Sequence, residues 1–361
     1  RVLNNESEVV GSFSREVRRI AAMAVEGPHR LVIRTATPEP LLASDLAAIA
    51  ILPRGERSGL TFTPDGCGKQ GPWPSLADFN EGRAAIGTGP YRLRTYDRSS
   101  SIELIRNDSY WGDKPHWAEV RLRPVTNAGP RLAGLLAGDL DIIEAPATAD
   151  VPRIRQNPNF ALAVSPTTRL IFLQLDQREN APFVQGPNGS NPLRDVRVRQ
   201  ALSLAIDRRA LAERIMDGLA TPAGQLLPEG MRGTVPGVGM LPYDPARARA
   251  LLAEAGVRSG FSFTLHATNN RYVNDARIAQ ALAQFFQRVG VTASVDAMPS
   301  NVFFPRRGRK EFSVPMGGWA ASAGETQLFL RAWITTTDRE RGYGMSNYGE
   351  FSDPEIDRLA R

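Results

Sequence analysis

The sequence predicts an α/β protein with more than one core, and three observations carry that prediction. The chain has 361 residues, beyond the roughly 250–300 at which a single hydrophobic core stops growing. Its composition, 42% hydrophobic, 23% charged and 7% aromatic, is that of globular proteins and not of a collagen, a coiled coil or a disordered chain. Near its carboxy-terminal third the hydrophobic period switches from two to 3.6 and back. Phe261, Phe263 and Leu265 alternate. Ile278, Leu282, Phe285, Phe286 and Val289 share a helical face, and Val291, Ala293, Val295 and Ala297 alternate again. A helix with such an apolar face must cover the sheet that the flanking strands enter.

The other elements follow in chain order. Apolar spacing from Phe13 to Ala22 predicts a helix, and Leu31 to Thr35 a strand bounded by Gly27-Pro28 and Pro38. Residues Arg54 to Arg83 are dense in Gly and Pro and predict irregular structure. Strands are expected at Pro90 to Thr95, Ser101 to Arg106, Val120 to Val125, Asp141 to Ile143 and Ala161 to Val164, the clearest with one face in a core and one in water. Gly129 to Ala137 reads as a short helix. The run Arg169 to Asp176 is apolar enough for a strand buried on both faces, with a domain boundary near 168. Val196 to Asp217 is helical in pattern, with Asp207 capping a second helix and Gly218 ending it. Asp244-Pro245 opens another helix that Gly256 stops, and Asp353-Pro354 opens a last one.

Several chemistries find no support. The longest apolar runs are far shorter than the roughly 18 residues that span a bilayer. Cys67 is alone and can close no bridge within the chain, and His29, His116 and His266 are not at metal-ligand spacing, so no metal is expected. No phosphate loop, dinucleotide fingerprint or nucleophile elbow occurs. The net charge of +6 permits anionic partners without requiring them; all but three of the 44 basic residues are arginine. The run Arg306, Arg307, Arg309 and Lys310 after Phe303 and Phe304 has the composition of a single-strand nucleic-acid groove, but no basic-aromatic motif repeats and a solvated loop after a short apolar segment is the better reading. His266 as a catalytic base competes with a hydrogen-bonded structural histidine at a strand end.

Motifs along nearly the whole chain then converge. Ile86-Gly-Thr-Gly-Pro-Tyr91 is followed by Ile102 to Asn107 and Tyr110-Trp-Gly112. Further on come Asn191-Pro-Leu-Arg-Asp-Val-Arg-Val-Arg-Gln-Ala-Leu202, Ala205-Ile-Asp207, Leu251-Leu-Ala-Glu-Ala-Gly256, Arg271-Tyr-Val-Asn-Asp275 and Gly317-Gly-Trp319. In this order they resemble the bacterial extracellular solute-binding protein family 5, the dipeptide-, oligopeptide- and nickel-type receptors of ABC importers. Each motif has a local reading too: Gly87 and Gly89 bracket a turn, Tyr110 and Trp111 are apolar anchors, and Arg194-Asp195 with Arg197 to Arg199 form a solvent face entering a helix.

The resemblance implies a periplasmic binding protein-like fold of two α/β lobes (cluster C type). It reads the chain as an interior fragment, without the amino-terminal strands and the carboxy-terminal return. Residues 1–84 would be the remainder of the family's small extra domain, 85–168 part of the first lobe and 169–361 most of the second. The implied function is a periplasmic receptor, not an enzyme, that captures a small polar, peptide-like solute by hinge closure. It would act without cofactor, as a monomer, and deliver the solute to an ABC permease in the cytoplasmic membrane; nucleic acid is not an expected partner. Matching places Trp319 at the cleft as a flat apolar wall with one N–H donor, a core tryptophan being the other reading. Dipeptide-binding relatives carry an aspartate three residues after this tryptophan to hold a ligand ammonium. Here Ser322 stands there, with Glu325 the nearest acid. Those relatives hold a ligand carboxylate with an arginine near the Arg271-Tyr272 segment, and Arg271 is displaced from it by one position when Tyr272 is matched; a guanidinium fork suits a carboxylate, though Arg271 could equally cap or brace the following helix. Tyr272, Asn270 and Asn269 can hydrogen-bond a polar solute. The alternative is a hydrolase on a related frame, using Ser322, Glu325 or His266.

Overall fold

A computed structural model describes residues 20–47, 49–51, 80–321, 324–339 and 341–360. The chain divides into two units, Arg1–Thr126 and Asn127–Arg361, a boundary inside the stretch 85–168 that the resemblance gives to the first lobe.

In the first unit, β1 (Ile20–Val25) and β2 (Leu31–Thr35) form an antiparallel pair whose turn uses Gly27 at φ +87°. Residues 20–22 are thus strand and not the end of a helix, because pairing across the turn outweighs the helical spacing. The rest of that expected helix, and most of 54–83, lie outside the described residues. A single helical turn, α1 (Leu42–Leu46), follows. Then β3 (Tyr91–Asp97), β4 (Ser101–Arg106) and β5 (Glu119–Leu122) make an antiparallel meander. Trp111 is 82% exposed and leans on Tyr110 at 5.2 Å between ring centroids, so it does not anchor a core of this unit.

The second unit opens with α2 (Ala128–Ala137), ended by Gly138 in the left-handed region, and α3 (Val151–Gln156). Asp141 to Ile143 and Ala161 to Val164 are not strands. Neither segment finds a ladder partner, and Ile142 and Val164 are left exposed. Next come β6 (Arg169–Leu173), the short β7 (Val184–Gln185), α4 (Val196–Leu204) and α5 (Arg208–Ala210), which runs on in a wider coil over Leu211–Ile215. The Asn191 to Leu202 motif closes on itself. Asn191 donates to the carbonyls of Asp176 (2.9 Å) and Arg178 (2.7 Å), Asp195 caps α4 by accepting from the Arg197 N–H (2.8 Å), and Leu193 and Val198 are fully buried. Arg199 belongs to this closure and not to a solvent face, since it donates to the carbonyls of Leu193 and Arg194. Asp207 and Asp244 cap as expected, accepting from Ala210 N–H and Arg247 N–H, and α6 (Pro245–Glu254) follows.

The site is set by what comes after. β8 (Ser262–Thr268), α7 (Asp275–Gln287), β9 (Thr292–Met298), α8 (Ser300–Gly308) and β10 (Val314–Ala320) form two consecutive crossovers. β9 runs parallel to β8 along one edge; β10, also parallel to β8, takes the other edge beside β7, and β6 closes the sheet antiparallel to β10. Odd residues of β8 (Phe263, Leu265, Ala267) pack with Phe286 and Leu282 of α7 in the main core. The opposite face carries His266, stacked on Phe312, which packs with Phe303 of α8. The two crossover helices therefore cover opposite faces of the sheet. A last helical stretch, α9 (Gln327–Phe329) with Leu330–Ile334, packs Phe329 and Trp333 against Phe172 and Trp319, and α10 (Pro354–Ala360) ends the described chain. Among the described residues no helix is long and apolar enough to cross a membrane.

One carboxylate pins the loop between β8 and α7. Asp275, 3% exposed, accepts on one oxygen from the Thr268 hydroxyl (2.7 Å), the Arg271 N–H (3.0 Å) and the Tyr272 N–H (3.1 Å), and on the other from the Ala276 N–H (3.0 Å). Sitting at the first turn of α7, the charge also meets the positive end of the helix dipole. Beside it Asn274 takes a left-handed backbone at φ 55°, a region asparagine tolerates. Its amide donates to Thr148 Oγ1 (2.6 Å) and the Ile215 carbonyl (2.8 Å).

Two expectations follow. Asp275→Ala should destabilise by about 2–4 kcal/mol, since it leaves a hydroxyl and three amides without their acceptor, and Asp275→Asn should cost less; a loss under about 1 kcal/mol in urea unfolding would show that the loop is held elsewhere. His266, 1% exposed between Phe183 and Phe312, has its pKa pushed down to about 4 by burial, against the pull of Asp296 at 3.9 Å. The unfolded chain takes up that proton near pH 6.5 and the folded one only near 4, so this contribution is complete above pH 6.5 and is lost as pH falls toward 4. The loss should reach roughly 2–3 kcal/mol; melting curves at pH 7 and pH 5 should show a smaller drop in His266→Phe than in the parent.

Candidate functional site

Strand order alone marks one place on the second unit. From the carboxyl end of β8 the chain leaves toward α7 on one face; from the carboxyl end of the adjacent β10 it leaves toward α9 on the other. Adjacent parallel strands whose exits diverge leave a crevice between them, the usual place for a ligand on an open α/β sheet. Asn270, Arg271 and Tyr272 follow β8, and Trp319 lies at the end of β10. The structure thus brings four of the six sequence-expected residues to a common edge.

Within that edge they divide by face. Antiparallel register sets Gly317 opposite Phe172 and Gly318 opposite Ile171. Trp319 shares the Phe172 face, where it is partly buried and edge-on to Phe329 at 5.0 Å. It is a wall built on an aromatic cluster with Phe329 and Trp333, themselves stacked at 5.7 Å. Tyr272 lies on the other face, directly over Gly318. A Cβ at Gly318 would sit 2.6 Å from the Tyr272 ring and 3.0 Å from Ile171, so only glycine lets the ring lie on the strand. The phenol donates to the Gly318 carbonyl at 3.3 Å.

Two guanidinium groups meet this ring. The Arg271 guanidinium carbon is 5.3 Å from the ring centroid, and that of Arg169 at the start of β6 is 5.8 Å from it. Both arginines are exposed, and neither side chain has an acidic partner among the described residues. Arg271 contributes only its backbone N–H to Asp275; its side chain does not brace α7. Asn270 accepts from the Ser300 N–H at 2.9 Å through its carbonyl oxygen, which leaves its amide nitrogen as the outward group. Arg169 was missed by sequence reasoning. Position 169 lies about a hundred residues from Tyr272, and nothing in its neighbourhood marks it apart from many other arginines.

Glu325 does other work. It is 4% exposed, and its carboxylate accepts from the Gln327 N–H and from the Leu328 N–H (3.2 Å), capping α9. Both oxygens are thereby turned to backbone. Ser322 lies outside the described residues. His266 is enclosed between aromatic rings, so it has no open path to a substrate carbonyl. The basic run at the end of α8 and just beyond it is taken up within the protein. Arg306 and Arg309 pair with Glu311 at 2.8 and 2.7 Å, Lys310 pairs with Glu350 at 2.7 Å, and Arg307 is surrounded by Phe303, Phe304, Trp333 and Tyr348 at 4.9–5.7 Å. The arginines hold the Glu311 carboxyl below its usual range. A phosphate backbone would find three of these four charges already paired with acids.

Comparison with known proteins shows the family and the fold. The family model for bacterial extracellular solute-binding proteins, family 5 (middle), matches residues 1–341. The dipeptide-binding protein of Escherichia coli K12 is 30% identical over 281 residues, 77% of this chain and 49% of that protein. The glutathione-binding protein GsiB of Salmonella typhimurium is 32% identical over 68% of this chain and 46% of its own length. The chain therefore spans about half the length of these curated relatives. Among solved structures, the periplasmic binding protein DppA of Helicobacter pylori in complex with the peptide STSA superposes with a TM-score of 0.71 at 18% identity, over 98% of this chain and 65% of that one. NikA of Staphylococcus aureus in complex with Ni(L-His)2 gives 0.72 at 21%, over 99% and 69%. At these identities the likeness is one of fold, that of two-lobed periplasmic binding proteins. With the family model covering nearly the whole chain, the protein belongs to the bacterial extracellular solute-binding proteins, family 5.

Proposed function

We propose that this chain is the ligand-holding part of a periplasmic receptor that captures a small carboxylate-bearing solute without changing it covalently and delivers it to an ABC importer. The observation that carries this reading is the arginine-and-tyrosine edge at the diverging ends of β8 and β10. A guanidinium offers a fixed fork of donors that matches a carboxylate. Tyr272 and Trp319 supply flat walls, and a buried carboxylate fixes the loop from below, so little order has to be gained on binding. The relatives support the class: they are described as binding a dipeptide, glutathione, a peptide or a nickel–histidine complex, solutes that all carry carboxylates.

The structure around the expected amine subsite argues against a requirement for a free α-amine. Glu325 spends its charge on a helix start, so no acid among the described residues near Trp319 is placed to hold an ammonium. Peptide-like conjugates and other amino-acid derivatives fit this better than simple dipeptides. A hydrolase would need a reachable base, and His266, walled in by Phe183 and Phe312, does not supply one. The receptor is proposed to work as a monomer, without cofactor, beside a permease of the cytoplasmic membrane.

Screening the full-length protein against amino-acid conjugates, peptides and carboxylated metal chelates should find solutes that raise its melting temperature and change its tryptophan fluorescence. Absence of any responding solute would overturn the receptor reading, as would recovery of a chemically altered ligand. For a carboxylated hit, Arg271→Ala should weaken binding by roughly 10- to 100-fold, or about 1.5–3 kcal/mol for a hydrogen bond to a charged group, with melting behaviour of the free protein unchanged. Equal affinity in the variant would remove Arg271 from the site.

A further inference from the structure

We propose that Arg169 is a second anion-binding residue of this site, and that the solute carries two carboxylate groups, one for each arginine. The inference rests on the receptor reading above and deepens it to a ligand class. Its starting point is a convergence that sequence distance conceals. Arg169 opens β6 in register with Ala320 at the end of β10, on the same face as Gly318 and Ile171. Arg271 stands on the loop after β8. Their guanidinium carbons lie 5.8 and 5.3 Å from the centroid of one ring, that of Tyr272.

Among the described residues Arg288 and Arg307 also lie over rings without an acid, but Tyr272 is the ring on which two arginines converge, and neither is held as several others are. Arg178 is tied to Asp176, Arg197 to Asp195, Arg247 to Glu254, Arg306 to Glu311 and Arg358 to Glu355, even where both partners are exposed. At Tyr272 two guanidinium groups share a ring and neither forms an ion pair with a carboxylate among the described residues, the nearby Asp275 spending both its oxygens on backbone and hydroxyl donors. An aromatic face attracts a cation through its quadrupole but neutralises nothing. The two like charges therefore raise the local potential, and an anion that meets both relieves it.

The remaining polar groups of the edge have the same sense. Asn270 has committed its oxygen to the Ser300 N–H and presents its amide donor. The Tyr272 hydroxyl already donates to Gly318. Both oxygens of Asp275 are occupied by groups of the protein itself. An edge whose outward side chains donate and whose acceptors are spent selects a guest rich in acceptors. Two planar forks flanking one ring suit two planar carboxylates on a short skeleton, each able to take a bidentate pair.

The test uses the full-length protein and a thermal-shift panel graded by carboxylate number, with matched probes differing only in one carboxylate against its amide: Gly-Glu with Gly-Gln, and N-acetylglutamate with N-acetylglutamine. Stabilisation should concentrate on dicarboxylates, and the dicarboxylate of a matched pair should bind at least tenfold more tightly. Arg169→Gln, an exposed change, should fold as the parent does, bring that ratio to within about twofold, and leave the affinity of the monocarboxylate nearly unchanged. Arg271→Gln should weaken both members. Hits confined to solutes with one carboxylate or none overturn this inference while the receptor reading stands. An Arg169→Gln ratio equal to that of the parent also overturns it, as does equal stabilisation by inorganic phosphate with the same dependence on Arg169. Failure of every solute in the panel removes the receptor reading, and this inference with it.

Discussion

The site depends on one buried charge. The Asp275 carboxylate, out of water at the amino terminus of α7, is tolerable only because a hydroxyl, three backbone N–H groups and the helix dipole compensate it. All of those partners but the Ala276 N–H and the helix dipole belong to the loop from Thr268 to Tyr272. The requirement to satisfy an anion therefore becomes the force that gives the loop a single shape, and the loop carries the groups proposed to meet a solute. Asn274 adds a second restraint by reaching Thr148, 126 residues away. A loop held at both its acid and its amide can present Arg271 and Tyr272 on a rigid base.

The sheet supplies the other half of the arrangement. Two crossovers with helices on opposite faces bring the carboxyl ends of β8 and β10 side by side while sending their continuations apart. Glycine at 318 then removes the side chain that would hold the Tyr272 ring off the strand. On the far face a Cβ at Gly317 would stand 3.1 Å from the Phe172 ring, and Trp319 joins the cluster of Phe329 and Trp333. The pair of glycines before the tryptophan thus has a steric cause: each face of β10 takes an aromatic ring where a side chain would stand.

Arginine serves three distinct ends in this chain. It pairs with acids on surfaces, as Arg197 does with Asp195, where the gain in stability is small. It fills aromatic surroundings, as Arg307 does among four rings. At Tyr272 two arginines share one ring without an acid, which is the arrangement proposed to serve binding. The basic run of α8, which by composition resembled a nucleic-acid groove, belongs to the first two uses. His266 and Glu325, which by type could have served catalysis, are likewise absorbed, one by packing against rings and the other by a helix start.

Local signals decided much of the chain. Alternation gave β4, β8 and β9; the helical face of Ile278 to Phe286 gave α7; and Asp195, Asp207, Asp244 and Asp353 cap where aspartate before a periodic run should, because capping and periodicity act between residues a few positions apart. The ordered motifs identified the family for the same reason, being contiguous in sequence. Tertiary structure decided the rest. Ile20 to Ala22 became strand through pairing across a turn, whereas Asp141 to Ile143 and Ala161 to Val164 lost strand form for want of a partner. The enclosure of His266, the placing of Tyr272 on Gly318 and the approach of Arg169 to that ring all depend on strand order and register. Those contacts join positions tens to more than a hundred residues apart, and only the packing energy of the whole sheet selects which of them meet.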